Sequence, residues 1–238
     1  MFTPFAFRTI KAEEIIPSPS YVTSGLVRFY DAENAGGTPT TTWTDIQANQ
    51  NGTVGANVTW TTGTPNYYDF LGSGTTAASA VDFSPNPFTG TQNHTICVWF
   101  NADSTGDGVL SYVGRTGFPT YQFQKITMRT ISNQLRLEFE GAGQNTSLTY
   151  STGTWYQAAY KLDGTRPNDC TIYLNNSKQA ITASTTTLNL SSLYMYTGVQ
   201  TGFHPFNGKV AVYMAYDRAL SDAEIEQNFD YFKTRYGY

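Results

Sequence analysis

The chain has 238 residues and a formal net charge of −4 at pH 7. Charged residues make up 13% of it, about half the share of roughly 25% in a typical domain, while aromatic residues reach 15%. This composition argues against a helical bundle, a coiled coil or a disordered tail. Without a basic field or a run of about 20 apolar residues, we predict no nucleic-acid partner and no membrane span.

Residues 1–24 differ from the rest of the chain because Phe and Ile side chains alternate there with Pro4, Pro17 and Pro19. The prolines favour an extended path over a long helix. We predict an N-terminal anchoring arm whose apolar contacts are Phe2, Phe5, Phe7, Ile10, Ile15 and Ile16. The alternative is an arm that adds an edge strand to its own domain. The segment has no continuous apolar stretch and no small-residue cleavage site, so we predict no signal peptide.

From residue 25 onward, short strand-like segments alternate with turns rich in Gly, Pro, Asn and Thr. The predicted strands are 25–31, 42–46, 67–71, 80–83, 94–101, 108–114, 121–129, 134–140, 147–150, 155–162, 170–174, 188–196 and 209–216. In the first of them, simple alternation places Leu26, Arg28 and Tyr30 on one face and Val27 and Phe29 on the other. So many short strands predict an all-β, two-sheet antiparallel jelly-roll sandwich spanning 25–238.

One helix is predicted near the end, at 221–235. Ser221 and Glu224 have the spacing of a capping box. Ile225, Phe229 and Phe232 follow on one helical face. We expect this apolar stripe to close the sandwich.

Five segments carry a resemblance to a known family. They are GLVRFYDA at 25–32, HTICVWF at 94–100, TWYQAAYKLDG at 154–164, CTIYLN at 170–175 and, most specifically, FNGKVAVYMAYDRALSDAEI at 206–225. From about residue 25 to its C-terminus, the chain resembles the laminin G-like jelly rolls of the concanavalin A-like lectin/glucanase superfamily. The resemblance implies the fold but leaves the function open, because that superfamily includes lectins, adhesion modules, glycosidases and virion proteins.

The glucanases of this superfamily carry Glu-x-Asp-x-x-Glu, or a close variant, on one inner strand. The nearest match here places Glu138 and Glu140 on one strand face beside Arg136. The arginine favours ionised carboxylates, whereas retaining chemistry needs one carboxyl with a raised pKa, and the intervening Asp is missing. We therefore predict a solvated outer face at these residues and no enzyme.

Two other kinds of ligand remain candidates. Asp103 and Asp107 lie in a Gly-containing loop that offers oxygen ligands for Ca²⁺, although Asp/Gly turns have the same pattern without a metal. A glycan would contact aromatic and polar side chains in loops at 117–121 and 198–205. The candidate glycan contacts are Phe118, Tyr121, Gln200, Phe203 and His204.

The jelly roll without a catalytic set, the arm and the lack of an export signal together resemble structural proteins of tailed bacteriophages. We predict a non-enzymatic virion protein, a head (capsid) decoration or fibre-type subunit assembled in the host cytoplasm. Its arm would bind other virion proteins, its subunits would form a homo-oligomer, and its sandwich would contact host-surface glycans. The alternatives are a cellular carbohydrate-binding module or adhesin and, third, a glycoside hydrolase.

Overall fold

The computed structural model describes residues 20–115, 120–199 and 202–238. Within these ranges the chain forms short strands and one α-helix, with a few single-turn 3-10 helices between them. The strands are β1 (Leu26–Asp31), β2 (Thr42–Trp43), β3 (Gly52–Val54), β4 (Val58–Thr61), β5 (Tyr67–Leu71), β6 (Val81–Asp82), β7 (His94–Ala102), β8 (Gly108–Gly114), β9 (Lys125–Ile131), β10 (Gln134–Phe139), β11 (Ala142–Thr149), β12 (Trp155–Leu162), β13 (Cys170–Leu174), β14 (Ser177–Ala180), β15 (Tyr194–Thr197) and β16 (Asn207–Tyr216). The helix is α1 (Asp222–Phe232).

The strands form two antiparallel sheets, which confirms the predicted jelly-roll sandwich. Sheet A has the order β14-β13-β12-β7-β16-β5-β4, and β1 also pairs with β16. Sheet B has the order β11-β10-β9-β8-β15-β6-β3-β2. The space between the sheets is filled by aromatic side chains, among them Tyr30, which stacks on Phe83 at 4.2 Å between ring centroids.

The outer face of sheet A is covered by α1. Trp99 of β7 stacks on Phe229 and on Tyr236, with centroids 5.6 and 4.2 Å apart. β7 is therefore buried on both faces, which explains the continuous apolar run at 96–100 in its centre. No helix within the described ranges is both long and apolar enough to cross a membrane.

The predicted helix is confirmed, including its N-terminal capping box between Ser221 and Glu224. Ile225, Phe229 and Phe232 are all buried against sheet A. The α-helix ends at Phe232 and continues as a 3-10 turn over Lys233–Tyr236.

Residues 20–24, the end of the predicted arm, lie on the helix layer. The Val22 backbone N–H donates to Asn228 Oδ1 at 2.8 Å, and the Tyr216 hydroxyl donates to the Val22 carbonyl at 3.0 Å. Gln227 Nε2 donates to the Ser20 carbonyl at 2.8 Å. Residues 1–19, with all six predicted arm contacts from Phe2 to Ile16, lie outside the described residues.

The predicted alternation in the first strand is wrong because β1 has a bulge between Leu26 and Arg28. The extra residue changes the register, so Leu26 and Phe29 both pack beneath α1 while Tyr30 enters the core between the sheets. The segment predicted at 121–129 is also shorter, since β9 begins only at Lys125.

Candidate functional site

The outer face of sheet B is the face of the sandwich that α1 does not cover. On β9, Ile126 and Met128 belong to the core, so Lys125, Thr127 and Arg129 project outward. β10 follows the same rule, with Leu and Phe inside and Arg and Glu outside.

A row of side chains crosses this outer face. Tyr196 of β15 pairs with Tyr112 of β8, Tyr112 pairs with Thr127 of β9, and Thr127 pairs with Glu138 of β10. Tyr112 points outward because β8 has a bulge between Val109 and Ser111, which sends Leu110 and Val113 into the core. The row thus joins two aromatic rings to a hydroxyl and a carboxylate.

A buried ionic network occupies the β9–β10 side of the face. Lys125 Nζ lies 3.3 Å from Glu138 Oε1 and 2.8 Å from Glu140 Oε2. Arg129 Nη2 lies 2.6 Å from Glu138 Oε2, and Arg129 Nη1 also pairs with Asp107. Only 2% of Lys125 and 8% of Glu140 is exposed, so the predicted solvated face is wrong: these charges are paired and largely withdrawn from water.

The network keeps Glu138 ionised. Burial alone would raise its pKa, but Lys125 and Arg129 outweigh burial and hold the pKa below its usual value. A general acid at neutral pH needs the opposite shift. This pairing weighs against glycosidase chemistry at Glu138 and Glu140.

Three stacked tyrosines occupy the β8–β15 side of the face. The Tyr112 and Tyr196 ring centroids are 5.8 Å apart, and those of Tyr196 and Tyr194 are 5.6 Å apart. Exposure rises along the stack from 1% at Tyr112 to 9% at Tyr196 and 40% at Tyr194. We call these three residues the tyrosine stack. Its outermost ring offers an aromatic surface to a ligand.

The floor beside the tyrosine stack has no side chain. Gly114 is the strand partner of both Tyr194 and Lys125. A Cβ on Gly114 would come within 2.1 Å of the Gln124 carbonyl oxygen, and φ there is +114°, so the position requires glycine. The backbone of Gln124 and Lys125 packs against Gly114 where a side chain would otherwise begin.

Tyr121, one of the predicted glycan contacts, lies at this end of β8. Arg115 Nη2 donates to the Tyr121 hydroxyl at 2.8 Å, and the Arg115 guanidinium carbon lies 3.7 Å from the Tyr121 ring centroid. The structure therefore places Tyr121 beside an arginine just beyond the strand that carries Tyr112.

His204 and Phe203 lie at the opposite end of β8. The Val109 N–H donates to the His204 carbonyl at 3.1 Å, and His204 Nδ1 lies 2.8 Å from Asp107 Oδ2. From Val109 to the far end of β8 is about 17 Å at the usual rise of a strand. The structure thus does not bring His204 and Phe203 together with Tyr121. The candidates Phe118 and Gln200 lie outside the described residues.

The two predicted Ca²⁺ ligands already contact other side chains. Asp103 pairs with Lys209, and Asp107 pairs with Arg129 and His204. Within the described ranges, no group of three or more His, Cys, Asp or Glu side chains is placed to hold a metal ion. We therefore propose no Ca²⁺ site from these aspartates.

Sequence reasoning missed the tyrosine stack. The i, i+2 spacing of Tyr194 and Tyr196 was a usable signal, because it puts both rings on one strand face. Their approach to Tyr112 depends on the β8 bulge and on the pairing of strands far apart in sequence.

The family of the chain follows from its sequence as well as its fold. Residues 72–226 match a laminin G-like family model described as the concanavalin A-like lectin/glucanases superfamily. The match covers more than half of the chain, and the chain belongs to this superfamily. No curated protein sequence matches it.

Solved structures with the same fold include parts of enzymes and of a mosquitocidal protein. A Trypanosoma rangeli sialidase in complex with the inhibitor DANA matches with a TM-score of 0.65 and 18% identity, over 92% of this chain and 34% of the sialidase. Domain 4 of AbnA, a GH43 extracellular arabinanase from Geobacillus stearothermophilus in complex with arabinotriose, matches with a TM-score of 0.65 and 13% identity, over 86% of this chain and 98% of that domain. The binding domain of Paraclostridial Mosquitocidal Protein 1 matches with a TM-score of 0.62 and 16% identity, over 86% of this chain and 52% of that one. At these identities the likeness establishes a shared fold, and this chain spans only about a third of the sialidase.

Proposed function

We propose that the chain is a non-catalytic carbohydrate-binding protein and that the outer face of sheet B is its binding surface. The observation that carries this proposal is the tyrosine stack, whose outermost ring, Tyr194, is 40% exposed beside the ionic network. The arabinotriose complex of the AbnA domain, which has the same fold, supports it.

The chemistry of the face suits a sugar. An aromatic ring can cover the apolar C–H face of a pyranose, while nearby polar groups hydrogen-bond its hydroxyls. On the same face, the side chains of Arg136 and Glu138 are 23% and 21% exposed and offer charged groups that can hydrogen-bond sugar hydroxyls.

Tyr194→Ala tests the location of the site. The full-length chain is screened on a glycan array, and the dissociation constant of the best ligand is measured by calorimetry. We expect Tyr194→Ala to weaken binding about 10-fold or more, as for the loss of an aromatic anchor. Phe203→Ala is the matched control, because Phe203 is 59% exposed at the other end of β8. If only Phe203→Ala loses binding, the site lies at that other end of β8. If the wild type binds no glycan, the proposed function is refuted.

The absence of catalysis is part of the same proposal. Glu138 is held as a carboxylate by Lys125 and Arg129, so neither hydrolysis nor an effect of Glu138→Gln on hydrolysis is expected. Release of reducing sugar from an array ligand by the wild type, lost in Glu138→Gln, would contradict this.

We further propose that the sandwich belongs to a bacteriophage virion, anchored by its arm as a head decoration or fibre-type subunit. One observation favours this arrangement: residues 20–22 lie on the helix layer, opposite the tyrosine stack. A chain held from that side presents the outer face of sheet B to the host surface. Replacing Phe5 and Phe7 with Asp should abolish incorporation into particles while the sandwich still folds, and normal incorporation would overturn the anchoring role.

A further inference from the structure

Within the proposed carbohydrate-binding site, one arginine differs from its neighbours. Among the described lysines and arginines, the ones without a salt bridge to a carboxylate are Arg28, Arg115 and Arg166; each of the others has at least one. Arg28 is only 9% exposed. Arg166 is exposed and directly precedes the 3-10 turn at Pro167–Asp169. Arg115 directly follows Gly114 at the edge of the tyrosine stack.

The guanidinium of Arg115 is held in place without being neutralised. It lies over the Tyr121 ring at 3.7 Å and donates one hydrogen bond to the Tyr121 hydroxyl. Stacking fixes the guanidinium plane and leaves further N–H donors for a ligand. An arginine fixed in this way is preorganised to bind a carboxylate through two parallel hydrogen bonds.

The other cations on the face are poor partners for an anion. Lys125 and Arg129 are each shared between two carboxylates, so an anionic ligand would have to compete with Glu138 for either of them. Arg115 carries the positive charge on this face that no described carboxylate offsets.

We propose that the site is selective for glycans with a carboxylate-bearing sugar, whose carboxylate binds Arg115 while its ring lies on Tyr194. This inference rests on the proposed carbohydrate-binding function and adds the chemical class of the ligand.

The test compares neutral and acidic glycans that are otherwise identical. The full-length chain is screened on an array of neutral oligosaccharides printed beside their sialylated and uronic-acid-bearing counterparts, with lactose and 3′-sialyllactose as one pair. Because hydrogen bonds to a charged group are worth more than neutral ones, we expect the acidic member of the best pair to bind about 10- to 100-fold more tightly. Arg115→Gln should remove this preference and leave the neutral member within about 2-fold. Arg115→Lys should keep only part of it, since lysine has no planar fork.

Arg166→Gln is the matched control, because it removes an exposed arginine that has no salt bridge to a described carboxylate and is not part of the tyrosine stack. Its acidic preference should equal that of the wild type. Equal or tighter binding of the neutral member would overturn the inference and leave carbohydrate binding intact, whereas no binding to any glycan would overturn both. If Arg115→Gln weakens both members equally and lowers the melting temperature, Arg115 only supports the loop and the inference is wrong.

Discussion

Lys125→Met tests whether the outer face of sheet B is an integrated ionic network. The change removes the ammonium 2.8 Å from Glu140 and 3.3 Å from Glu138, where the Lys125 side chain is only 2% exposed. Removing the cationic partner of a buried ion pair costs about 3–5 kcal/mol, because its attraction no longer offsets the desolvation of the carboxylates. Glu138 keeps Arg129, so we expect the lower end, about 3 kcal/mol. In a chain of this size that lowers Tm by about 6–12 °C.

The measurement is urea unfolding followed by tryptophan fluorescence, with Tm from calorimetry. Lys209→Met is the control, since its pair with Asp103 is more exposed and should be worth about 0–1 kcal/mol. Adding Glu140→Gln to Lys125→Met should recover part of the loss, because the buried carboxylate is then neutral. Equal losses in the free energy of unfolding for Lys125→Met and Lys209→Met would refute the reasoning. So would a double variant that is no more stable than Lys125→Met.

Two further predictions concern the helix layer. Asn228→Ala should destabilise the chain by about 2–4 kcal/mol, because it leaves the buried Val22 N–H without its acceptor and removes a hydrogen bond to the buried Tyr216 hydroxyl. The control, Gln227→Ala, loses one exposed hydrogen bond, and its free energy of unfolding should stay within about 0.5 kcal/mol of the wild type in the same urea experiment. Similar costs for the two would contradict this. Arg218 lowers the pKa of Glu224 to about 2 from the ordinary 4.5. The ionised Glu224 therefore adds its full stabilisation above about pH 4.5, and this stabilisation is lost as the pH falls through 2. The Tm difference between wild type and Glu224→Gln should therefore shrink between pH 5 and pH 2, and a constant difference would refute the assignment.

The sequence was most informative where the determinants are local. The capping box at Ser221 and the stripe through Phe229 lie within a few turns of chain, and the helix forms as predicted. The two-sheet architecture was also predictable, because it needs only many short strands separated by turns. Boundaries were less certain: the segment predicted at 188–196 forms a strand only at Tyr194–Thr197.

The candidate site was largely hidden because it is assembled from non-local pairings. Tyr112 and Tyr196 meet only through the pairing of β8 with β15, and the β8 bulge decides which way Tyr112 points. Tyr121 and His204 have equally suitable side chains, yet they lie at opposite ends of β8. Residue type alone could identify such side chains as candidates. Which of them share a surface depends on strand order and register.

Removal of the arm separates the two predictions made for it. The Val22 N–H donates to Asn228 of α1 and its carbonyl accepts from Tyr216 of β16, so a chain of residues 20–238 retains both partners. If the arm is an assembly element, we expect the full-length chain to form oligomers and the shortened chain to be a folded monomer. Light scattering on a sizing column gives the masses, and Tm reports folding. Two folded monomers of matching stability would remove the assembly role. A shortened chain that is monomeric but much less stable, beside a monomeric full-length chain, would instead favour an arm that completes its own sandwich.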